Sequence, residues 1–426
     1  MFDKLTKQLG QFFGRITDHR RSNATYSLSD SLKGAFAMFS LKSPSLLVFR
    51  QNFECEVRQH NLQKVYGVEQ IPEDTAFRKA IDGMKPTELH GAFDIPINEL
   101  RKEGVWESRQ VLDGYMPISI DGTGYYCSGK KSCPHCLVKN LRNGEKRYYH
   151  QMLGAVQMHP DVKTVFPVGG EAIVRQDGAT KNDCEQNAAK RLIPRISKQL
   201  SQDKLLFVLD GLYATGPMIK LIKEQQAGFI IVIKDGYVLI QAERMAKNNE
   251  LEQYSWSNGK TKSTARFAHG LILNGQHQDQ LVNYVEYQQV DIQSGKILYA
   301  NSWITDIPIT KANVKEVVAV GRSRWKIENE TFNTLKNQGY HFEHNYGHGK
   351  KYLATNFALL MFLAFLVDQI IQAFDFAFRK AWEKSGSKKN LWEKIRQIFD
   401  LMPALSMNAI YRFIAKGPSL DFPLLE

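Results

Sequence analysis

The order of the elements between residues 116 and 233 limits the possible folds more than any other feature of the sequence. The runs MPISID, YYHQMLGAVQ and TVFPV predict three successive strands. A helical pattern, KNDCEQNAAKRLIPRISKQL, follows them, and the run LLFVLD, a second helix and the run FIIVI complete the segment. This order of three strands, helix, strand, helix and strand indicates an α/β fold with a mixed sheet and parallel crossovers.

The flanking regions have different patterns. Residues 1–110 show mostly helical spacing of apolar residues. Alternating runs such as LVNYVEYQQVDI predict a β-rich subdomain inserted into the α/β unit. We therefore expect an all-helical N-terminal region (1–110), the first part of the α/β unit (111–235), the β-rich insertion (236–309), the last part of the α/β unit (310–375) and a C-terminal helical tail (376–426).

Composition narrows the partners. The chain has 56 Lys and Arg against 44 Asp and Glu, a formal charge of +12, which favours a polyanion such as nucleic acid. The apolar stretch from Phe357 is interrupted by Asp368, well short of the ~20 residues that a bilayer requires, so we expect no membrane partner. The first residues mix charged and apolar side chains, unlike a secretory signal, and predict a cytoplasmic protein.

Two apolar strands end in the same dipeptide. Asp121 follows the first predicted strand and Asp210 follows LLFVL, and a glycine comes next in both cases. In α/β sheets, ligands bind where strands emerge from the core at their carboxyl ends. On neighbouring strands the two carboxylates would lie ~4.8 Å apart, and a divalent cation would relieve their repulsion. The alternative is that each aspartate only begins a turn, since Asp-Gly is a common turn pair.

A predicted helix supplies a third carboxylate. At ~100° per residue, Arg324 and Glu328 share one helical face, so Glu328 is the best candidate to complete a magnesium site. An exposed salt bridge is the simpler alternative. A second stripe is basic and predicts contacts with DNA phosphates, or merely a solvated surface. This stripe contains Lys311, Lys315, Arg322 and Lys326.

Cysteines and histidines offer a different kind of metal site. Cys133 and Cys136 have the two-residue spacing of zinc knuckles, and Cys127 precedes them. We expect a structural zinc ion bound by these three cysteines, with either His150 or Cys184 as a further ligand, although a loop of reduced thiols is the alternative. His341, His344 and His348 are candidates either for metal ligands or for a loop that contacts DNA. The segment TDHRRSNATYS contains Arg20 and Arg21 and predicts an exposed arm that contacts phosphates or serves as a solvated linker.

Three blocks of sequence together resemble a known family. IDGT at Asp121, VLDGLYA around Asp210 and RSRWKIENETFNTLKNQGY around Glu328 are similar to the catalytic blocks of bacterial insertion-sequence transposases of the DDE type. The closest resemblance is to the subgroup whose ribonuclease-H-like domain carries a β-rich insertion before the last catalytic helix. The blocks are separated by 89 and 118 residues, which is compatible with that subgroup.

The resemblance implies a ribonuclease-H-like catalytic domain that cleaves DNA and transfers strands. Asp121, Asp210 and Glu328 would bind Mg²⁺ or Mn²⁺, as two ions, and Arg324 would balance phosphate charge or position Glu328. The implied partners are double-stranded DNA, as terminal repeats and target DNA, and a second copy of the chain in a homodimer at the nucleoid. A metal-dependent DNA nuclease without strand transfer and a catalytically inactive DNA-binding relative are the alternatives.

The match to the subgroup is incomplete. Its signature is a tyrosine, two residues, an arginine, three residues, a glutamate, six residues and a lysine. Arg324 and Glu328 match, but Gly321 stands at the tyrosine position and Leu335 at the lysine position. Lys336, one residue later, is the candidate replacement and a further candidate for DNA contact.

Overall fold

A computed structural model describes residues 1–20, 24–51, 55–178 and 180–417. Its helices are α1 (Phe2–Arg15), α2 (Leu28–Ser40), α3 (Leu46–Gln51), α4 (Glu56–Tyr66), α5 (Asp74–Asp82), α6 (Asp94–Lys102), α7 (Lys181–Gln199), α8 (Gly216–Glu224), α9 (Tyr237–Lys247), α10 (Val314–Arg322), α11 (Asn333–Asn337), α12 (Leu353–Phe374), α13 (Phe376–Ser385), α14 (Lys388–Leu401) and α15 (Met407–Lys416). Its strands are β1 (Tyr115–Ser128), β2 (Leu137–Asn140), β3 (Lys146–His159), β4 (Val162–Ile173), β5 (Lys204–Leu209), β6 (Gly228–Val232), β7 (Glu252–Ser257), β8 (Thr261–Asn274), β9 (His277–Asp291) and β10 (Ile297–Thr305).

The strands form one mixed sheet. Its order is β2-β3-β1-β5-β6-β10-β9-β8-β7, with β4 paired to β3. β1, β3 and β4 are antiparallel neighbours, whereas β5 and β6 run parallel to β1 and follow α7 and α8. Strands β5 and β6 are almost continuously apolar and buried, as expected where helices cover both faces of a sheet. The predicted α/β fold is confirmed, and this strand order is ribonuclease-H-like.

The insertion extends this sheet. Strand β10 pairs antiparallel with β6 through Trp303–Val232 and Ile304–Ile231, so β7 to β10 continue the same sheet. The inserted segment also begins with a helix, α9, which the sequence analysis did not predict. Its first residues, YVLI, have the composition of a strand, which explains the error.

Helix α12 is the longest helix in the described part of the chain. By length and composition it could span a membrane, but 83% of its most apolar window is buried inside the protein. Asp368, which interrupts the apolar pattern, is accommodated because Lys42 Nζ lies 2.5 Å from its carboxylate and the Tyr340 hydroxyl donates to it at 2.7 Å. A buried charge requires such partners. In this structure α12 is a core helix.

The helical part is assembled from both ends of the chain. The Asn61 side chain, on α4, donates hydrogen bonds to the carbonyls of Phe399 and Met402, and the Asp3 carboxylate accepts one from the Met407 amide. Helices α14 and α15 therefore pack with the N-terminal helices instead of extending away from the protein. The domain limits near residues 110, 235, 309 and 375 stay predictions.

Candidate active site

The register of the sheet brings two aspartates to the same level. Ser119 of β1 pairs with Val208 of β5, so Asp121 and Asp210, each two residues further, occupy corresponding positions on neighbouring parallel strands. Such positions lie ~4.8 Å apart. Asp210 Oδ1 accepts a hydrogen bond of 3.0 Å from the Leu212 amide, so this aspartate also begins a turn. Both interpretations of the Asp-Gly pattern therefore hold for Asp210.

Glu328 does not lie on a regular α-helix. Helix α10 ends at Arg322, a turn follows, and residues Ile327–Phe332 form a π-helix that leads into α11. We call residues 323–337 the Glu328 segment. A π-helix of this kind is rare and occurs often at functional sites. The irregularity also explains why side chains along residues 311–336 do not follow the rotation of ~100° per residue of a regular α-helix.

Arg324 connects two of the three carboxylates. Its Nη1 donates to Asp121 Oδ2 at 3.2 Å, and its Nη2 donates to Glu328 Oε1 at 2.8 Å. The guanidinium thus lies between the end of a central strand and the Glu328 segment. The predicted salt bridge with Glu328 is present, but it is part of a three-residue contact with Asp121.

A glycine allows the Glu328 segment to approach the sheet. Gly154 of β3 pairs with Asp121. A Cβ atom on Gly154 would lie 3.0 Å from ring atoms of Phe332 and Phe362, closer than most real contacts. Phe332 ends the π-helix that carries Glu328, so the missing side chain lets this helix pack beside Asp121.

The electrostatics of the site reflect the crowding of negative charge. Burial raises the pKa of Asp121 to about 6, and the charges of Glu328 and Asp210 add to this effect, while the Gly122 amide and Arg324 oppose it. Burial works against the charge of Arg324, but Asp121, Glu328 and Asp210 outweigh it and raise the arginine pKa. All three carboxylates therefore act on one guanidinium.

Sequence reasoning missed a fourth carboxylate, Glu185 on α7. It is buried, its Oε1 lies 3.2 Å from the position of a Cβ on Gly122, and Lys181 Nζ lies 3.3 Å from the same oxygen. Burial raises the pKa of the Tyr213 hydroxyl, and the charges of Glu185, Asp210 and Asp121 raise it further. No strand-to-turn pattern precedes Glu185, which lies on a crossover helix. The direction of its side chain is set only when that helix packs on the sheet.

The departures from the subgroup signature have structural counterparts. A Cβ on Gly321 would lie 2.9 Å from the indole of Trp303, so a strand of the insertion fills the place of the signature tyrosine. Leu335, at the lysine position, is fully buried. Lys336 forms an ion pair of 2.8 Å with Glu343.

The predicted basic stripe is only partly exposed. Lys311 and Lys315 are exposed, and Lys315 lies over the rings of Tyr254 and Trp256. Arg322 is half-buried and donates a hydrogen bond of 3.2 Å to the Tyr287 hydroxyl.

Lys326 differs from the prediction. It is 5% exposed, and its ammonium donates to the carbonyls of His159, Pro160 and Val162 at 2.5, 2.6 and 2.9 Å. The turn after α10 rotates it away from the surface stripe. Lys326 therefore holds the β3–β4 turn and is not available to a DNA phosphate.

Arg20 of the predicted arm is held by neighbouring residues. Its guanidinium donates to both carboxylate oxygens of Asp18 at 2.9 and 2.7 Å and to the Tyr26 carbonyl at 2.7 Å. These hydrogen bonds lower the pKa of Asp18 to about 2. Arg21 lies outside the described residues.

Asp121, Asp210, Arg324 and Glu328 together are called the acidic site. A cleft of about 640 Å³ opens beside it. Asp210 and Arg324 line it on one side, and Asn301 and Leu273 of the inserted strands line the other. Lys234 and the exposed Trp325 also line it. The insertion therefore forms one wall of the space in front of the carboxylates.

The second candidate metal site consists of Cys133, Cys136, His150 and His348, which we call the cysteine–histidine cluster. Their ligand atoms all lie within 4.8 Å of one another, and among the described residues no other group of three or more Cys, His, Asp or Glu side chains is so close. The prediction that Cys127 is a ligand is wrong, because this residue is exposed and lies on β1 outside the cluster. Cys184 is directed to the Gly178 carbonyl, whereas His150 is confirmed as a member.

Comparison with known proteins identifies the family. The model of the family described as Transposase DDE domain matches residues 118–366, which include all four residues of the acidic site. A search of curated proteins found no match. Among solved structures, the cryo-EM structure of piggyBac transposase synaptic complex with hairpin DNA is similar with a TM-score of 0.41 and 11% identity, over 98% of this chain and 80% of that chain. The family match spans more than half of the sequence, and the chain therefore belongs to the Transposase DDE domain family.

Proposed function

We propose that this protein is a transposase of the bacterial insertion-sequence type, from the subgroup with a β-rich insertion, which cleaves DNA at the ends of its element and transfers the strands to target DNA. One observation carries the proposal. The guanidinium of Arg324 is paired with both Asp121 and Glu328, while Asp210 lies in register beside Asp121. Three acidic residues from distant parts of the chain thus lie around one guanidinium group.

The residues of the acidic site suit a hard divalent cation. Carboxylate oxygens are the ligands that Mg²⁺ and Mn²⁺ prefer. Burial is the main cause of the raised pKa of Asp121, and the charges of Glu328 and Asp210 raise it further. We assign Asp121, Asp210 and Glu328 as the residues that would hold two such ions. Two such ions would stabilise the attacking and leaving oxygens in an in-line displacement at phosphorus.

The protein residues supply position and charge balance. Arg324 neutralises Asp121 and Glu328 and fixes the Glu328 segment relative to β1. Asp121 is held by the Gly122 amide, and Asp210 by the Leu212 amide. Each of these two aspartates therefore has one oxygen fixed by a backbone amide, and the other oxygen of Asp121 accepts a hydrogen bond from Arg324.

Double-stranded DNA is the proposed partner, both as terminal repeats and as target. The chain carries a net charge of +12, which favours binding to phosphates. Arg322 lines the cleft, Lys315 lies over the rings of Tyr254 and Trp256 of the insertion, and Lys311 is exposed. These three residues and residues 1–110 are proposed to contribute to DNA binding. Because two element ends must be joined, we propose a homodimer as the active form, located in the cytoplasm at the nucleoid.

A cleavage and strand-transfer assay with the full-length protein tests this function. Duplexes that carry the terminal repeats flanking the gene are incubated with Mg²⁺, and pre-cleaved ends are supplied in parallel with a target plasmid. The proposal expects both Mg²⁺-dependent cleavage and joining. Cleavage without joining of pre-cleaved ends would indicate a nuclease instead. Binding with neither reaction would indicate an inactive DNA-binding relative.

A further inference from the structure

The cysteine–histidine cluster joins three parts of the chain. Cys133 and Cys136 lie in the turn between β1 and β2, where the Cys136 amide donates to the Cys133 carbonyl at 3.1 Å. His150 is on β3, and the pairing of Leu137 with Tyr149 places the end of this turn beside it. His348 belongs to the linker 338–352, which connects the Glu328 segment to α12.

Five of the six distances between the ligand atoms match those of a tetrahedral metal site, and the sixth, between Cys133 and His348, is at most 4.8 Å. Metal–ligand lengths of ~2.3 Å for sulfur and ~2.0–2.1 Å for nitrogen require separations of ~3.8 Å between sulfurs, ~3.5 Å between sulfur and nitrogen and ~3.3 Å between nitrogens. The two Sγ atoms are 3.7 Å apart, and the two Nε2 atoms are 3.1 Å apart. Sulfur–nitrogen distances are 3.5 Å for Cys133–His150, 3.4 Å for Cys136–His150 and 3.3 Å for Cys136–His348.

The surroundings also hold His348 in the orientation of a metal ligand. Its Nδ1 donates a hydrogen bond of 2.9 Å to the Gly349 carbonyl, and its Nε2 is directed at the cluster. Gly349 has φ +70°, and a Cβ there would lie 2.2 Å from Asp82 Oδ1. That oxygen accepts hydrogen bonds from the Lys351 and Leu353 amides at 2.9 and 3.0 Å. A carboxylate from α5 therefore fixes the linker that presents His348.

Aromatic residues close the cluster from solvent. The ring of Tyr125 stacks on His150 at 5.8 Å, and Tyr126 lies 4.5 Å from His348. Cys136, His150 and His348 are all buried. Among metal centres with two thiolates and two imidazoles, a closed tetrahedral site is typical of structural zinc. A disulfide would require the two sulfurs to lie ~2.05 Å apart. In a two-iron cluster the cysteines would bind one iron and the histidines the other, so the two pairs of ligands would lie apart.

We propose that Cys133, Cys136, His150 and His348 bind one Zn²⁺ ion, and that this ion ties the β1–β3 hairpin to the linker that follows the Glu328 segment. The ion would form a cross-link between regions that are far apart in sequence. Because β1 carries Asp121 and the linker follows Glu328, the cross-link holds the two sides of the acidic site in their relative positions. The zinc site itself does not depend on the proposed catalytic function.

Metal analysis of the purified full-length protein tests the proposal directly. Protein prepared without affinity tags that bind metals should contain about one zinc per chain. His348→Gln and Cys136→Ser should each lose most of the zinc, whereas Cys127→Ser, a cysteine outside the cluster, should retain it. Wild-type protein that contains no zinc and takes up none after incubation with Zn²⁺ would overturn the proposal.

A spectroscopic measurement covers the case in which these variants fail to fold. Wild-type protein in which Co²⁺ replaces the bound metal should show the intense visible bands of tetrahedral cobalt together with thiolate charge-transfer absorption. Weak, octahedral-type bands would exclude the assigned ligands. Hydrogen–deuterium exchange should then increase on zinc removal in residues 129–137 and in the linker 338–352, while α1 serves as the unaffected control. Unchanged exchange in the linker would exclude the cross-link.

Discussion

The acidic site and the cysteine–histidine cluster are built on the same two strands. Asp121 and Gly154 pair just beyond the last β1–β5 pair, Ser119–Val208, whereas His150 pairs with Tyr126, five residues further along β1. Each site is completed by the chain around α11: Glu328 precedes this helix and His348 follows it. One hairpin therefore supports two chemically different groups of ligands.

The two regions differ in exposure and in how their ligands are arranged. The Glu328 side chain is 51% exposed and is separated from Asp121 by the guanidinium of Arg324, whereas His150 is 3% exposed and in direct contact with the other cluster members. Structural metal sites are closed, while catalytic sites keep positions open for water or substrate. The comparison indicates that the acidic site suits an exchangeable ion that prefers oxygen ligands. The cysteine–histidine cluster suits a permanently bound ion that prefers sulfur and nitrogen ligands.

The largest expected effect is a complete and reversible loss of cleavage on brief chelation. An open carboxylate site releases Mg²⁺ readily, while a buried thiolate site releases zinc slowly. Cleavage should return on addition of Mg²⁺ or Mn²⁺ alone, with the zinc content unchanged throughout. A protein that requires added zinc to recover cleavage would break the distinction between the two regions.

Single carboxylate substitutions should come next. Asp121→Asn, Asp210→Asn and Glu328→Gln should each reduce metal-dependent cleavage by about 10³-fold or more, because each removes a charged ligand. DNA affinity, measured by fluorescence anisotropy, should change little.

Glu330→Gln provides the matched control for these variants. Glu330 lies on the same π-helix, but its carboxylate faces Lys163 at 3.9 Å and not Arg324. Its substitution should leave cleavage near the wild-type rate. If Glu328→Gln were equally harmless, Glu328 would have no place in the site.

Arg324→Gln should have an intermediate effect. Hydrogen bonds to charged groups contribute about 1.5–3 kcal/mol, so the loss of positioning predicts a decrease in cleavage of about 10- to 100-fold. Zinc content should be unaffected, because Arg324 does not contact the cysteine–histidine cluster. Arg324→Lys keeps the charge but not the two-pronged geometry, and should recover only part of the rate.

The smallest effects concern the basic residues. Lys326→Met leaves three carbonyls without a donor and should lower the free energy of unfolding by about 1–3 kcal/mol, measured by urea denaturation. Lys311→Met, at an exposed position, should change stability by less than about 0.5 kcal/mol. It should instead reduce the slope of log affinity against log salt for DNA by about 1. The reverse result would restore Lys326 to the DNA-contacting surface.

Sequence patterns predicted the parts of the protein that depend on local order. The sequence of strands and helices between residues 116 and 233 implied the mixed sheet, because crossovers in α/β folds follow few topologies. The repeated strand-to-Asp-Gly pattern located Asp121 and Asp210 at the same edge for the same reason. The spacing of Cys133 and Cys136 predicted that these two side chains lie together as potential metal ligands.

The remainder depended on packing between distant segments. His348 joins the cluster because Asp82 of α5 fixes its linker, and no pattern near residue 348 encodes that contact. Lys326 was assigned to a surface stripe because a continuous helix was assumed, whereas the turn after Arg322 changes its direction. Glu185 was missed because the orientation of its helix is defined only by packing against β3 and β4.

The most direct test of the central claim is to locate Mn²⁺ by anomalous X-ray scattering in a complex of the full-length protein with its terminal-repeat DNA. We expect two peaks ~3.5–4 Å apart, bounded by the carboxylates of Asp121, Asp210 and Glu328 and adjacent to a DNA phosphate. Mn²⁺ bound at another position, in a complex that still cleaves DNA when warmed, would contradict the assignment of these three residues.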